Sequence, residues 1–175
     1  VLENLEDAVK RGAVICAEIV GFANSFDAYS VSEPHPEGKG AYYSMANAVK
    51  MAGIKPRDIS YINAHGTSTP KNDTVETTAI KKLLGEYAGK VPVSSTKSMI
   101  GHLIASAGAV EAIASIVCAR AGRVHPTINL DKPDPLCDLD YVPNRTRAHE
   151  VGFFLSNSFA FGGMNSTVVF KNWKE

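Results

Sequence analysis

Short β-branched segments alternate with helix-patterned segments along this chain, and that alternation restricts its fold more than any other feature. Residues 13–22, 59–64 and 91–95 are largely apolar runs of strand length, and each is followed by a segment with apolar residues at helical spacing. Two further strands are predicted at 152–157 and 165–171. This order predicts an α/β fold with a mixed five-stranded sheet and helices packed on its faces.

The predicted helices differ in how clearly their ends are marked. They cover residues 1–9, 40–52, a segment from 72 or 73 to about 87, and 102–121. Asp73, with Glu76 three residues later, predicts a capped start for the third helix. The fourth helix contains 103–119, which is close to membrane-spanning length, but Ser, Gly and Glu residues interrupt it. We interpret it as a core helix, and the first strand as one covered on both faces.

The composition is typical of one globular domain, or part of one, over 1–175. Lys plus Arg and Asp plus Glu both number 18, so the net charge gives no indication of a nucleic-acid partner or an anionic membrane. Cys16, Cys118 and Cys137 are too few and too far apart for a disulfide framework or a CxxC metal site. They predict reduced, buried thiols in a cytosol-like compartment. Because the chain starts at Val1 without a signal peptide, we expect a processed or partial chain.

Two polar signatures each contain one histidine and lie where a predicted strand gives way to a helix. The first runs from Asn63 to Thr69 with the sequence NAHGTST, and the second runs from Lys97 to His102 with the sequence KSMIGH. The carboxyl ends of strands in α/β folds present side chains and backbone N–H groups to ligands. His65 and His102 are therefore predicted to share a site. For His102, a histidine that only caps the backbone is the alternative.

His102 is predicted to stand at the N-terminus of the fourth helix. The positive end of the helix macrodipole disfavours an imidazolium there, so a neutral ring that donates one N–H is expected. Glu111 is the one charged residue of 103–119, and its burial would require a partner, for which Lys97 is the nearest in sequence. A Lys97–Glu111 pair would fix the geometry around His102, or it could be purely architectural.

Two further groups of residues predict contacts with a ligand. Thr67 and Thr69 offer hydroxyls at a strand exit that could hold a polar, amide-bearing arm, or they could cap the following helix. Phe159 and Phe161 flank a small residue and precede a Gly-Gly pair that begins at Gly162, a pattern suited to a mobile gate. A packed β-turn is the alternative for that segment.

Together these signatures resemble one family. Their order and spacing are similar to those of the C-terminal half of the β-ketoacyl-[acyl-carrier-protein] synthases, which are condensing enzymes with the thiolase fold. The similar segments are 63–69, 97–102 with Glu111 nine residues on, PTINL at 126–130, and 157–165. The resemblance covers essentially the whole chain and is strongest to the type II elongating enzymes of bacteria and organelles. It implies that the chain is a thiolase-like half domain, with the N-terminal half absent.

The resemblance implies a decarboxylative Claisen condensation in fatty-acid chain elongation. Malonyl on acyl carrier protein loses CO2, and the resulting carbanion attacks an acyl group held on an active-site cysteine. His65 and His102 match the two histidines that donate hydrogen bonds to the malonyl thioester oxygen, and Lys97 and Glu111 match their supporting pair. No cofactor and no metal are expected, because the substrates are carried on the phosphopantetheine of the carrier protein.

The resemblance also implies binding residues and partners. Thr67 and Thr69 match residues that hold the phosphopantetheine arm, Phe161 matches the gating phenylalanine, with Phe159 and Gly162 beside it, and the loop 24–39 matches a second mobile loop. The implied partners are the N-terminal half of the same synthase, acyl carrier protein, and a second copy of the complete enzyme in a homodimer. The implied location is the cytoplasm, or the matrix or stroma of an organelle. Neither nucleic acid nor a membrane is expected as a partner.

Two features depart from the family's pattern. No cysteine here lies at a strand-to-helix elbow. Cys16 and Cys118 lie in apolar runs, and Cys137 lies beside acidic residues that raise a thiol's pKa. Ala160 stands where the family usually carries glycine, and if its φ is positive the Cβ would stiffen the gate by about 1 kcal/mol and slow acyl loading. We expect an active synthase half, completed by an N-terminal half that supplies the nucleophile, and poorly stable alone.

Two other functions stay open. A chain-length-factor-like subunit of a polyketide or polyene ketosynthase would shape the acyl tunnel of a catalytic partner, although such subunits usually lose the histidines that are present here as His65 and His102. A thiolase-type acetyltransferase would use coenzyme A with a different arrangement of Cys and His. Decarboxylation of a malonyl substrate separates the three functions.

Overall fold

The computed structural model describes residues 1–173, in which helices and strands alternate as the sequence predicts. The α-helices are α1 Leu5–Lys10, α2 Lys39–Met51, α3 Pro70–Leu84, α4 Lys97–Ile100 and α5 Ala107–Arg120. The strands are β1 Ala17–Phe26, β2 Ile59–Asn63, β3 Val93–Ser94, β4 Arg123–Val124, β5 Arg147–Ala148, β6 Phe153–Ala160 and β7 Met164–Asn172. Short 3₁₀ helices lie at Pro56–Asp58, Gly85–Lys90, Ile104–Ser106 and Phe161–Gly163.

Five strands form one mixed sheet in the order β1-β7-β6-β2-β3. β2 pairs in parallel with β3 and with β6, whereas β7 is antiparallel to both β6 and β1. The predicted five-stranded mixed sheet is therefore confirmed. A separate two-stranded sheet of β4 and β5 is not predicted by the sequence, because strands of two residues are too short to show a periodicity.

Helices α2 and α3 cover one face of the sheet, and α5 covers part of the other. The predicted apolar face of α2, with Met45, Ala48 and Val49, is buried against the first face of the sheet. Side chains alternate along β2, so Ile62 packs into that first core and Tyr61 into the second core, beneath α5. Both faces of β2 are therefore covered, which makes its carboxyl end a rigid support for a site.

β1 differs from its prediction in position and in environment. It lies at Ala17–Phe26 instead of 13–22, and it is an edge strand that pairs only with β7. Phe22 and Phe26 are exposed, so the strand is not covered on both faces. An apolar run looks the same in sequence whether one face or both are covered, which is why the prediction was wrong. Cys16 consequently lies exposed before the strand and is not a buried thiol within it.

α3 begins two or three residues before its predicted start at Asn72 or Asp73. Pro70 is its first residue and Thr69 is the N-cap position. Proline is favoured there because the first helical N–H needs no partner within the helix. Asp73 therefore lies inside the first turn, where its carboxylate accepts the backbone N–H of Ser68 at 3.2 Å and does not take the N-cap position that the sequence predicts.

α5 begins at Ala107, not at His102. Gly101 at φ 72° and Ile104 at φ 53° interrupt a helical backbone, and a 3₁₀ turn fills the interval. The predicted core helix is buried on one side only, along Ala107, Glu111, Ser115 and Ala119, while Ile113 and Val117 on its other side are exposed. No helix within residues 1–173 combines the length and the apolar character needed to cross a membrane.

Candidate active site

The carboxyl ends of the parallel strands bring the candidate residues together. Asn63 at the end of β2 lies opposite Ser94 of β3 and Ser156 of β6. His65 follows two residues after Asn63, and the turn after β3 leads directly into α4, which begins at Lys97. Because parallel strands end at the same edge of the sheet, the two histidine signatures converge there.

A glycine makes the turn after β2 possible. Gly66 has φ +41°, and a Cβ at this position would lie 2.6 Å from the Cβ of Ser95. The hydroxyl of Ser95 donates to the carbonyl oxygen of Gly66 at 2.7 Å, so the turns after β2 and β3 are joined directly. The backbone beside His65 can approach its neighbour this closely only because residue 66 has no side chain.

The structure places the two predicted histidines in contact. The ring centroids of His65 and His102 are 5.5 Å apart and the rings meet edge to face at 81°. Phe159 lies on another side of His65, with its ring centroid at 5.7 Å. One histidine is buried and the other exposed, so the pair spans the boundary between the core and the surface.

His65 is a neutral imidazole at physiological pH. It is 7% exposed, and burial is the largest cause of a pKa lowered from 6.5 to about 3. The positive charge of Lys97 and the neighbouring His102 lower that pKa further. Its Nδ1 atom is buried and meets no hydrogen-bonding group within residues 1–173.

The tautomer of His102 follows from the loop that carries it. Its Nδ1 accepts the backbone N–H of Ile104 at 2.9 Å. A neutral ring that accepts at Nδ1 carries its proton on Nε2, so His102 offers one N–H donor. The sequence predicts this donor from a helix dipole, but α5 begins five residues later. The loop hydrogen bond supplies the reason instead.

The predicted ion pair between Lys97 and Glu111 is present. The Lys97 ammonium lies 2.5 Å from a carboxylate oxygen of Glu111, and both side chains are almost fully buried. Burial raises the pKa of Glu111, and the adjacent ammonium opposes that rise. The pair joins α4 to α5 and places a positive charge near His65.

Glu76 and Asn157 belong to this site although they are absent from the predicted site residues. The two carboxylate oxygens of Glu76 accept the backbone N–H groups of His65 and Gly66, each at 2.9 Å, and Asn157 donates to the same carboxylate at 3.1 Å. These bonds fix the backbone on which His65 is mounted. The signal for Glu76 in the sequence is a glutamate on the buried face of a helix, eleven residues after a histidine. The predicted capping pattern already accounted for this glutamate, so it was not predicted as a site residue.

Thr67 and Thr69 lie at the surface beside this turn. Their hydroxyl oxygens are 2.9 Å apart. Thr69 is the N-cap residue of α3, but its side chain makes no capping hydrogen bond. The backbone of Thr69 thus takes the position that the capping alternative predicts, but its hydroxyl does not cap the helix.

The predicted gate segment is a 3₁₀ turn between β6 and β7. Phe161 is 79% exposed, and Gly162 and Gly163 both have φ +78°. The N–H of Gly162 donates to the carbonyl oxygen of Val31 at 2.6 Å, and the N–H of Asp27 donates to the carbonyl oxygen of Gly163 at 2.8 Å. The segment is therefore hydrogen-bonded to the loop that follows β1.

The backbone of the gate is not strained at Ala160, which has φ −137° and ψ 160°. This is extended backbone that any residue adopts without strain. The predicted stiffening by its Cβ, and the slower acyl loading derived from it, required a positive φ and are therefore withdrawn. The two following glycines carry the positive φ angles.

Two of the three cysteines, Cys118 and Cys137, lack the setting of a nucleophile. Cys118 and Cys137 are half-buried, and burial raises the pKa of both thiols. For Cys137 the neighbouring Asp73, Asp134 and Asp138 add to that rise, which confirms the predicted direction. Within residues 1–173, no three His, Cys, Asp or Glu side chains are grouped so that they could hold a metal ion.

The fold and the paired histidines define an α/β domain of the condensing-enzyme class, with the thiolase-like arrangement of helices on a mixed sheet. The family model described as "Beta-ketoacyl synthase, C-terminal domain" matches residues 16–131. The chain therefore belongs to the β-ketoacyl synthase family and corresponds to its C-terminal domain.

Individual relatives agree with that assignment. The 3-oxoacyl-[acyl-carrier-protein] synthase 2 of Synechocystis sp. is 53% identical over 174 residues, which are 99% of this chain and 42% of that protein. A solved type II PKS acyl carrier protein in complex with its ketosynthase superposes with a TM-score of 0.95 at 41% identity, over 98% of this chain and 42% of the other. The ishigamide ketosynthase/chain length factor gives a TM-score of 0.93 at 37% identity, with the same coverage. The chain spans about two fifths of the length of the proteins it matches.

Proposed function

We propose that this chain supplies the decarboxylation half of a β-ketoacyl-[acyl-carrier-protein] synthase active site. The observation that carries the proposal is the contact between His65 and His102, one held neutral by burial and the other held as an Nε2–H donor by its loop. Two neutral N–H donors at one point suit a developing oxyanion, because their hydrogen bonds strengthen as negative charge accumulates there.

The proposed reaction begins with a malonyl thioester carried on acyl carrier protein. The bond between the carboxylate and the α-carbon breaks, CO2 leaves, and the electron pair passes to the thioester oxygen. His65 and His102 donate hydrogen bonds to that enolate oxygen. The α-carbon then attacks an acyl thioester on a cysteine of the N-terminal half, and the cysteine thiolate leaves. Lys97 and Glu111 hold the histidine environment in place.

The remaining assignments belong to the same proposal. In this proposal Thr67 and Thr69, whose hydroxyls are in contact, hold the phosphopantetheine arm, and Phe159, Phe161 and Gly162 form the gate of the acyl pocket. The neighbour in complex with an acyl carrier protein supports a carrier-bound substrate, and the Synechocystis relative's name supports fatty-acid elongation. The proposal also includes a homodimer of the complete enzyme that needs no cofactor. Its proposed location is the cytoplasm, or the matrix or stroma of an organelle.

CO2 release from malonyl-[acyl-carrier-protein] tests the proposal. The protein to use is the assembled protein, meaning this chain together with its nucleophile-bearing N-terminal half. Removing one donor, in His65→Leu or His102→Ala, is expected to lower the rate at least about 100-fold. His149→Gln is the control, because His149 contacts the carbonyl oxygen of Ser60 away from the site, and its rate should stay within about twofold of wild type.

A chain-length-factor-like role is the second candidate, and the similarity to the ishigamide ketosynthase/chain length factor is the observation that favours it. In that case the assembled protein releases no CO2, and the histidine variants leave the activity of the catalytic partner unchanged. A coenzyme A-dependent acetyltransferase would join two acetyl groups without releasing CO2. CO2 release thus separates the synthase from the other two functions, and the joining of two acetyl groups separates the acetyltransferase from the chain-length-factor-like role.

A further inference from the structure

A buried polar cluster lies behind the Lys97–Glu111 pair, and none of its members is among the predicted site residues. The cluster consists of Asn63, Thr96, Ser115 and His125, all nearly or fully buried. They come from the end of β2, the residue before α4, the middle of α5 and the residue after β4. Most buried polar groups have hydrogen-bond partners, and those partners reveal what the cluster holds, although the Oδ1 atom of Asn63 has none among the described residues.

The hydrogen bonds of this cluster have a defined direction. His125 Nδ1 lies 3.2 Å from the carbonyl oxygen of Pro126, which can only accept, so Nδ1 carries the proton and Nε2 is an acceptor. The amide nitrogen of Asn63 donates to the Thr96 hydroxyl at 2.7 Å. The hydroxyl can then donate its own proton to His125 Nε2, which lies 3.0 Å away. Thr96 is thus held from both sides.

The same amide also fixes the other helix of the ion pair. The second N–H of Asn63 donates to the hydroxyl of Ser115 at 2.9 Å, and that hydroxyl donates to the backbone carbonyl of Glu111 at 2.8 Å. One side chain at the end of β2 therefore contacts the residue before Lys97 and, through Ser115, the residue that pairs with Lys97.

α4 needs such an anchor because it is only four residues long. A helix of one turn has few internal hydrogen bonds and is not stable by itself. Its first residue, Lys97, must nevertheless keep a buried ammonium 2.5 Å from Glu111. We propose that Asn63, Thr96 and His125 are positioning residues that hold Lys97 against Glu111 and thereby maintain its charge beside His65. This inference rests on the proposed function for its catalytic consequence, but not for its geometry.

An isosteric pair of variants in the assembled protein tests the inference. Thr96→Val removes the hydroxyl and keeps the shape, whereas Thr96→Ser keeps the hydroxyl. Thr78→Val is the control, because Thr78 is an exposed threonine of α3 whose hydroxyl bonds only the carbonyl of Thr74. Thr96→Val is expected to lower kcat for CO2 release about tenfold with KM within about twofold, since one net hydrogen bond is lost from the support and none from the substrate. Thr96→Ser should retain most of the wild-type kcat, and Thr78→Val all of it.

A second readout does not depend on activity. The charge of Lys97 contributes to the low pKa of His65, so displacement of Lys97 raises that pKa. NMR of protein labelled with ¹⁵N in its histidine rings should show His65 titrating at higher pH in Thr96→Val than in wild type, with Thr96→Ser unchanged. If Thr96→Val does not fold, His125→Leu against His125→Gln gives the same comparison, because glutamine retains an acceptor for the threonine hydroxyl.

The outcomes separate this inference from the proposed function. If wild type releases no CO2, the proposed function fails, and the His65 titration alone decides the positioning role. A shifted His65 in Thr96→Val that Thr96→Ser restores supports that role. An unshifted His65 in Thr96→Val, or a Thr96→Ser variant as impaired as Thr96→Val, overturns it.

Discussion

His65 is the residue whose chemistry depends most on its surroundings. Its ring is buried and faces the positive charge of Lys97, which together lower its pKa to about 3. We expect His65 to remain neutral throughout pH 5–8, so that it can donate a hydrogen bond but carries no charge. NMR of the ¹⁵N-labelled histidine rings in the assembled protein checks this, with His65→Gln used to assign the signal. A titration midpoint near 6.5 would contradict it.

The same pKa determines how His65 affects stability. Its pKa in the folded protein lies below its ordinary value of 6.5, so between about pH 3 and 6.5 the unfolded chain binds more protons than the folded one. His65 therefore has no pH-dependent effect above pH 6.5. It destabilises the fold progressively as the pH falls toward 3, by up to about 1.4 kcal/mol for each pH unit. His65→Gln removes this component from the acid side of a stability curve.

At the scale of elements, the gate between β6 and β7 depends on its two glycines in different ways. Both have φ +78°, but a Cβ at Gly162 would meet nothing within 4 Å, whereas a Cβ at Gly163 would lie 2.9 Å from the Cβ of Asp27. Gly162→Ala should therefore destabilise by the backbone strain alone, about 1 kcal/mol. Gly163→Ala should destabilise by clearly more, because Asp27 must also move.

Thermal unfolding of the assembled protein measures that difference, and the two variants serve as controls for each other. Asp27 accepts the backbone N–H of His35 at 2.9 Å and contacts the amide of Asn165 at 3.2 Å, so its displacement also loosens the loop after β1. Gly163→Ala is expected to have the lower Tm of the two. Equal Tm values would show that the contact with Asp27 does not hold the gate.

The elements were predictable to the extent that local patterns determine them. The strand before His65 and the helix with Met45 and Val49 follow from their own residues, and the predicted Lys97–Glu111 pair follows from a single charge in an apolar helix. The first residue of α5 did not follow, because Ile104 has a positive φ that its residue type does not indicate, and it is 78% exposed. The role of Glu76 did not follow either, since it depends on a turn eleven residues away in sequence.

At the scale of the whole molecule, much apolar surface lies on one side of the sheet. Phe22 and Phe26 of β1 lie opposite Val168 and Met164 of β7 in the strand register. Val168 packs against the second core, beneath α5, so all four side chains are on the α5 side of the sheet. α5 lies over β6, β2 and β7, which leaves Phe22 and Phe26 exposed at the β1 edge.

Ile113 and Val117 add to that surface from α5 itself. They are 60% and 61% exposed, and they project from the side of the helix that does not face the sheet. So many exposed apolar side chains on one side of a sheet are typical of a protein–protein contact and are uncommon on a stable monomer. In the proposed synthase, the N-terminal half covers it.

Residues 1–175 expressed alone are therefore expected to self-associate and to bind an apolar dye, and to lose both properties when the N-terminal half is added. Size-exclusion chromatography with light scattering measures the first property and dye fluorescence the second. The double variant Phe22→Ser with Phe26→Ser should reduce self-association and also weaken the complex with the N-terminal half. Leu136→Ser is the control. Leu136 is at least as exposed as Phe22 and Phe26, but it lies in the loop after β4, away from this surface. A cooperative, monomeric fold of residues 1–175 that binds no dye would show that the exposed face needs no partner.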